Sequence, residues 1–143
     1  MIFISHRGNT NGPIPERENH PDYVLQALRK TQGVEIDVWY QDNNWALGHD
    51  SPTYEISKYF LLNQNFWCHA KNIEALVGMS YLGNHFFWHQ EDDVSLTSKG
   101  YIWTYPGKKL TNMSIAVMPE EVGLKKIPTC AGICSDYIME WKK

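Results

Sequence analysis

No apolar run in this 143-residue sequence approaches the roughly 20 residues that a membrane-crossing helix needs, so no integral membrane segment is expected. Basic residues are in short supply. Thirteen Lys and Arg stand against sixteen Asp and Glu, a net charge of −3, and nothing here would build the positive field of a nucleic-acid binder. Cysteine is scarce too: three residues, an odd number without dense spacing, imply free thiols in a reducing compartment rather than a disulfide framework. The stretch from Met1 to His6 enters strand-like sequence at once and lacks the basic and long apolar regions of a secretory signal. A cytoplasmic location is expected. No repeat, low-complexity segment or interdomain linker is visible.

What is present fits one domain over residues 1–143. Hydrophobic residues make up 43% and charged residues 20%, enough apolar material for a core and too little charge for disorder. Aromatics are generous, with six Trp and eight Tyr, more than core filling alone requires.

Along the chain, Ile2 to Ser5 reads as a buried strand ending at His6-Arg7-Gly8, a polar trio where α/β folds place their chemistry. Asn9 to Pro15 is a loop by its Asn, Gly and Pro content. Pro21-Asp22 opens a helix with Tyr23, Val24, Ala27 and Leu28 at helical spacing. Gly33 to Trp39 is the next strand. A turn over Gln41 to Asn44 leads to a short strand, Trp45 to Gly48, that delivers His49 and Asp50. Tyr54 to Leu62 suggests a helical turn. Asn65 to Lys71 reads as a strand with Trp67, His69 and Lys71 on one face, and Ile73 to Leu82 as a helix. Further strands are expected at Asn84 to His89, Gly100 to Tyr105, Ser114 to Met118 and Ala131 to Ser135.

The strand Gly33-Val34-Glu35-Ile36-Asp37-Val38-Trp39 organises the rest. Alternation puts Val34, Ile36 and Val38 on one face and Glu35 with Asp37 on the other. Two carboxylates on such a strand repel each other and resist burial, so they need a positive partner, and a divalent cation suits carboxylate oxygens. An edge strand with one solvated face is the alternative. His85 and His89 are four apart on an expected strand, about 13 Å along it, too far to share one ion, so both read as structural. The same holds for Cys130 and Cys134.

His6-Arg7-Gly8, Glu18-Asn19, Glu35-x-Asp37 and His49-Asp50 fall in the order and spacing of the glycerophosphodiester phosphodiesterases, within the wider phosphatidylinositol-phospholipase-like group, and the chain resembles that family closely from Ile2 to about Pro52. The resemblance implies an α/β fold, here a reduced or incomplete TIM-type (β/α) barrel. A complete barrel typically takes about 200 residues or more, so helices would be missing from the second half. It implies metal-dependent hydrolysis of a small glycerophosphodiester or sugar-linked phosphodiester. Glu35 and Asp37 would hold one divalent ion, Arg7 would grip phosphate, and His6 and His49 would share general acid and base duty without the residues saying which is which.

In that family an acidic residue two positions before a Lys completes the metal site. Here His69-Ala70-Lys71 stands there. Lys71 keeps the phosphate-neutralising place, and His69 replaces the carboxylate, moving metal preference from Mg or Ca toward Mn or Zn. Alternatively His69 is no ligand, or the site has lost activity. Trp103 is expected to cover the substrate or to pack in the core; Glu18, Asp50 and Asp136 are expected to orient the residues in contact with metal and phosphate. Missing helices would leave apolar flanks that a homodimer would cover. A non-catalytic phosphate or sugar-phosphate binding protein is the second reading.

Overall fold

Strand alternation and two capped helices shape the first half of the chain. In the computed structural model, which describes residues 1–143, ten strands form one curled mixed sheet with three short helices against it. β1 (Ile2–His6) is followed by α1 (Pro21–Leu28), and β2 (Gly33–Gln41) returns parallel to β1 with His6 beside Glu35. β3 (Asn44–Leu47) folds back on β2, and β4 (Tyr54–Ile56) adds antiparallel to β3. β5 (Phe66–Ala70) lies parallel to β2 and places Asp37 beside His69. Then come α2 (Ile73–Leu82), β6 (Phe86–Phe87), β7 (Val94–Leu96), β8 (Ile102–Thr104), β9 (Ser114–Val117), β10 (Gly132–Ser135) and α3 (Ile138–Trp141).

The parallel neighbours run β6-β5-β2-β1-β10-β9-β8, with β3, β4 and β7 antiparallel at the margins. This overturns the expectation of a TIM-type barrel, even a reduced one. The sheet does not close, because β6 and β8 share no ladder. Isolated bonds bridge this side instead of a ladder: the Ser98 N–H donates to the Phe86 carbonyl at 2.8 Å, its Oγ accepts from the Phe86 N–H at 3.0 Å, and Ser95 Oγ donates to the Trp88 carbonyl. The helices are few because the later connections are short. β8 to β9 is a plain loop, and β9 to β10 contains one 3-10 turn at Pro119–Val122. None of the helices is long and apolar enough to cross a membrane.

Local chemistry explains the elements that did form. Asp42 and Asn43 take positive φ angles of 52° and 63°, the pattern of a two-residue hairpin turn whose twist matches the flanking strands. In α1, Pro21 occupies the first turn and the His20 ring accepts from the Asp22 N–H. In α2, the Asn72 side chain caps the start and Gly83, left-handed, ends the helix. Tyr54 to Leu62 gives β4 and a 3-10 turn at Phe60–Leu62 in place of the helical turn suggested by its apolar spacing.

The two faces of β2 and β5 divide the core. Val34, Ile36 and Val38 join Phe66, Cys68 and Ala70 against Val24, Ala27, Ala75 and Met79 of the helices. On the other face Ile4, Trp67, Phe87, Trp103, Ile115, Val117 and Cys134 form a second cluster beneath the polar strand ends. All three cysteines are free, and burial pushes the Cys68 thiol up to about 12. His85 belongs to this packing. Its ring lies 4.1 Å from that of Trp67, and its Nε2 pairs with Thr97 Oγ1 at 2.8 Å.

Burial, and then the charge of Lys99, lowers the His85 pKa to about 4 from 6.5. Between those values the unfolded chain binds the proton and the folded one does not, so stability falls as pH drops from about 6.5 toward 4. His85→Gln keeps a partner for Thr97 and removes this titration. Denaturant unfolding of both proteins between pH 7 and 4 should show the wild type losing on the order of 2 to 4 kcal/mol more than the variant.

Candidate functional site

Parallel strands deliver their C-terminal ends to one rim, and there β1, β2, β5 and β10 converge on a polar cavity of about 510 Å³. Its wall includes His6, Arg7, Glu35, His49, His69 and Lys71, with Trp103 and Asp136 also contributing. Asp37 lies just behind, with no exposure to solvent.

Asp37 is the most heavily supported group. Asn19 clamps it twice, its Nδ2 donating to Oδ2 and its Oδ1 accepting from the Asp37 N–H, both at 2.9 Å. Arg7 Nε lies 3.0 Å from Oδ2, His69 Nδ1 3.2 Å from Oδ1, and Lys71 Nζ 3.8 Å from Oδ1. Burial would raise the pKa of Asp37, but His69, Arg7 and Lys71 overcome it and hold the carboxyl well below the usual range. Arg7 and Asn19 reach these positions with left-handed backbones, φ 53° and 63°, joined by the Asn19 N–H donating to the Arg7 carbonyl at 3.0 Å. Such conformations in residues with side chains cost free energy and persist where surrounding contacts fix them. Gly8 follows with φ 95°, and a Cβ there would meet the Tyr23 ring at 2.7 Å.

His69 faces both carboxylates. Its Nε2 pairs with the His89 carbonyl at 2.8 Å, which requires the proton on that nitrogen and leaves Nδ1 toward Asp37 and toward Glu35 Oε1 at 3.7 Å. Burial lowers the His69 pKa, but bonding to Asp37 and Glu35 and their negative charge win and push it up to about 9. Without an ion, imidazolium therefore supplies the positive charge. Neutral His69 would instead aim the Nδ1 lone pair at two anions, the arrangement of a metal-binding histidine whose other nitrogen is held by a backbone carbonyl.

The fit to a cation rests on that tautomer and on two stranded oxygens. Glu35 Oε2 and Asp37 Oδ1 are buried and face ionisable rings, His6 Nε2 at 3.8 Å and His69 Nδ1 at 3.2 Å, so with neutral His69 neither has a hydrogen-bond donor. One ligand atom from each of Glu35, Asp37 and His69 lies within 4.8 Å of the others. Two carboxylates and an imidazole suit Mn or Zn as well as Mg.

His6 and Asp136 form a second unit, uniting residues near opposite ends of the chain. His6 Nδ1 pairs with Asp136 Oδ1 at 2.8 Å, and Nε2 lies 3.8 Å from Glu35 Oε2. Burial works against the protonated ring, but Asp136 and Glu35 outweigh it, so the His6 pKa is raised and that of Asp136 lowered. On another wall His49 follows Gly48, whose N–H donates to the Asp37 carbonyl at 3.1 Å and whose carbonyl accepts from Trp39 Nε1 at 2.6 Å. A Cβ on Gly48 would collide with the Ser51 carbonyl. His49 is half-exposed and pairs with Asp50 at 2.7 Å. Trp103, expected either to cover the substrate or to pack in the core, is almost fully buried against Phe87 and borders the cavity from below.

Two participants escaped the sequence reading. Asn9, read only as part of a loop, is fully buried and uses its whole hydrogen-bonding capacity. Its Nδ2 donates to Glu18 Oε1 and Asp136 Oδ1, both at 2.8 Å, while its Oδ1 accepts from the Ile14 N–H and the Tyr23 hydroxyl. Glu18 in turn holds Arg7 Nη1 at 3.2 Å. The adjacency of Asn9 to His-Arg-Gly was the available signal. The other is His89, which spacing along an expected strand made structural. Only Phe86 and Phe87 are strand, and the chain beyond turns His89 into the cavity wall. Burial and then the nearby His69 push its pKa down.

Comparison with known proteins found no match among family models, curated proteins or solved structures.

Asn9→Ala would strand Glu18, Asp136, the Ile14 N–H and the Tyr23 hydroxyl together. Thermal or denaturant unfolding should show a loss of about 3 kcal/mol, far beyond the few tenths typical of a loop position.

Proposed function

We propose that the protein is a metal-dependent phosphodiester hydrolase for a small glycerophosphodiester or sugar-linked phosphodiester, related in its site to the glycerophosphodiester phosphodiesterases. The observation that carries this reading is the meeting of Glu35, Asp37 and His69 around stranded oxygens, with Arg7, Lys71 and the His6–Asp136 pair facing the same cavity. A single divalent ion held there would offset charge on the phosphoryl oxygens.

The chain's own residues do the remainder. Arg7, fixed by Glu18 and Asp37, and Lys71 present cationic donors to the phosphate. Asp136 on Nδ1 fixes the His6 tautomer and leaves Nε2 to exchange a proton with substrate. One of His6 and His49 takes the proton from the attacking hydroxyl, a substrate hydroxyl or water, as its oxygen bonds to phosphorus. The other protonates the departing alkoxide as its bond to phosphorus breaks. Attack by a neighbouring substrate hydroxyl gives a cyclic phosphate and needs no protein nucleophile. A cavity of this size takes a small diester, and a net charge of −3 gives the chain no electrostatic attraction to an anionic bilayer surface.

The test is hydrolysis of a panel of phosphodiesters, including glycerophosphodiesters, by chelated protein resupplied with Mg, Ca, Mn or Zn. Turnover should return with one or more metals, disappear in Glu35→Ala and fall about 10²- to 10⁴-fold in His6→Ala. No turnover with any metal, together with tight binding of phosphate esters, would favour the non-catalytic binding protein, with imidazolium His69 standing permanently for the ion.

A further inference from the structure

His89 is a polar side chain for which the hydrolytic scheme has no use. It is 7% exposed, it lines the cavity, and both ring nitrogens are buried without a hydrogen-bond partner. Buried polar atoms nearly always find partners, and a ring with neither nitrogen satisfied calls for one from outside the chain. The ring is held firmly. Its backbone carbonyl binds His69 Nε2 at 2.8 Å, the His69 ring lies 6.4 Å away, and the Tyr105 ring lies 4.6 Å from it. Tyr105, also on the cavity wall, is 44% exposed and makes no hydrogen bond through its hydroxyl, so no polar contact ties it over His89 and a ligand reaches the imidazole by displacing a solvent-facing ring.

The position selects the ligand group. Following the sheet from β6 to β5, β2, β1 and β10, His89 stands beyond His69 and Lys71, while His6 and Asp136 stand on the opposite side of Glu35. A phosphate seated between Arg7 and Lys71 would leave the His89 side of the cavity for one of its substituents. A neutral imidazole offers one N–H and one lone pair. A hydroxyl, itself donor and acceptor, satisfies either nitrogen, and two neighbouring hydroxyls satisfy both. An alkyl chain satisfies neither and a quaternary ammonium group has no hydrogen to give.

We propose that His89 recognises a free hydroxyl on the alcohol part of the ligand, making this a site for phosphate esters of polyols or sugars in preference to simple alkyl esters. The proposal takes the location of the phosphate from the hydrolase reading but does not depend on turnover.

Its test is calorimetric binding of glycerol phosphate and ethyl phosphate to the full chain, in wild type, His89→Phe and His89→Gln. The wild type should prefer glycerol phosphate about tenfold or more. His89→Phe keeps an aromatic ring and should erase that preference while leaving ethyl phosphate affinity unchanged. His89→Gln retains a donor and an acceptor and should restore part of it, and it serves alone if the Phe variant does not fold. Equal affinity of the wild type for both esters, equal weakening of both in the variants, or binding of neither would overturn the assignment. A hydroxyl preference lost in His89→Phe in a protein that hydrolyses no diester would uphold His89 and reject the hydrolase reading.

Discussion

A carboxylate withdrawn from water survives only where positive charge and hydrogen-bond donors meet it, and Asp37 is withdrawn completely. Together with Glu35 on the same face of β2, it sets a demand that the neighbouring elements answer. β1 contributes His6 and, just past its end, Arg7; β5 contributes His69 and, just past its end, Lys71; the loop before α1 contributes Asn19. The strand order places β1 and β5 on either side of β2, so sheet topology and charge balance are one arrangement. Each partner removed weakens the compensation of a buried charge, and a divalent ion held by Glu35, Asp37 and His69 would meet the same demand as the proton it displaces from His69.

The second dependence is on chain closure. Asp136, just past β10, pairs with His6 and with Asn9, so the last strand seats against the first only if the loop after β1 is correctly built. Asn9 acts as the hub of that loop by linking Glu18, Asp136 and Tyr23. A sheet that stays open between β6 and β8 still has a packed interior, because Phe87, Trp103 and Trp67 fill the space beneath the rim. Aromatic side chains provide there the apolar area that helices provide around β2.

What was legible in the sequence was local and periodic. Alternation in Glu35-Ile36-Asp37 and Trp67-Cys68-His69 reported the polar face correctly, since a strand's period fixes faces whatever sheet it joins. The strand-end positions of His6, Arg7 and His49 likewise brought them to one cavity. Closure of the sheet was not legible. It depends on whether β6 reaches β8, and β6 is only two residues long, so no periodic signal described that seam. The barrel expectation failed there and in the later connections, which hold turns and loops where helices were needed. Asn9 was hidden because a buried hydrogen-bond hub in a loop has no pattern, only a composition that reads as turn. The place of His89 on the cavity wall went unanticipated because the expected strand ended early.

The account stands on Glu35, Asp37 and His69 forming a cation site. Calorimetric titration of Mn or Zn into chelated protein, repeated with Asp37→Asn and His69→Ala, addresses it most directly. One ion bound per chain, with affinity lost in Asp37→Asn and weakened at least tenfold in His69→Ala, is the predicted result. No uptake by the folded wild type, or uptake indifferent to both substitutions, would contradict it.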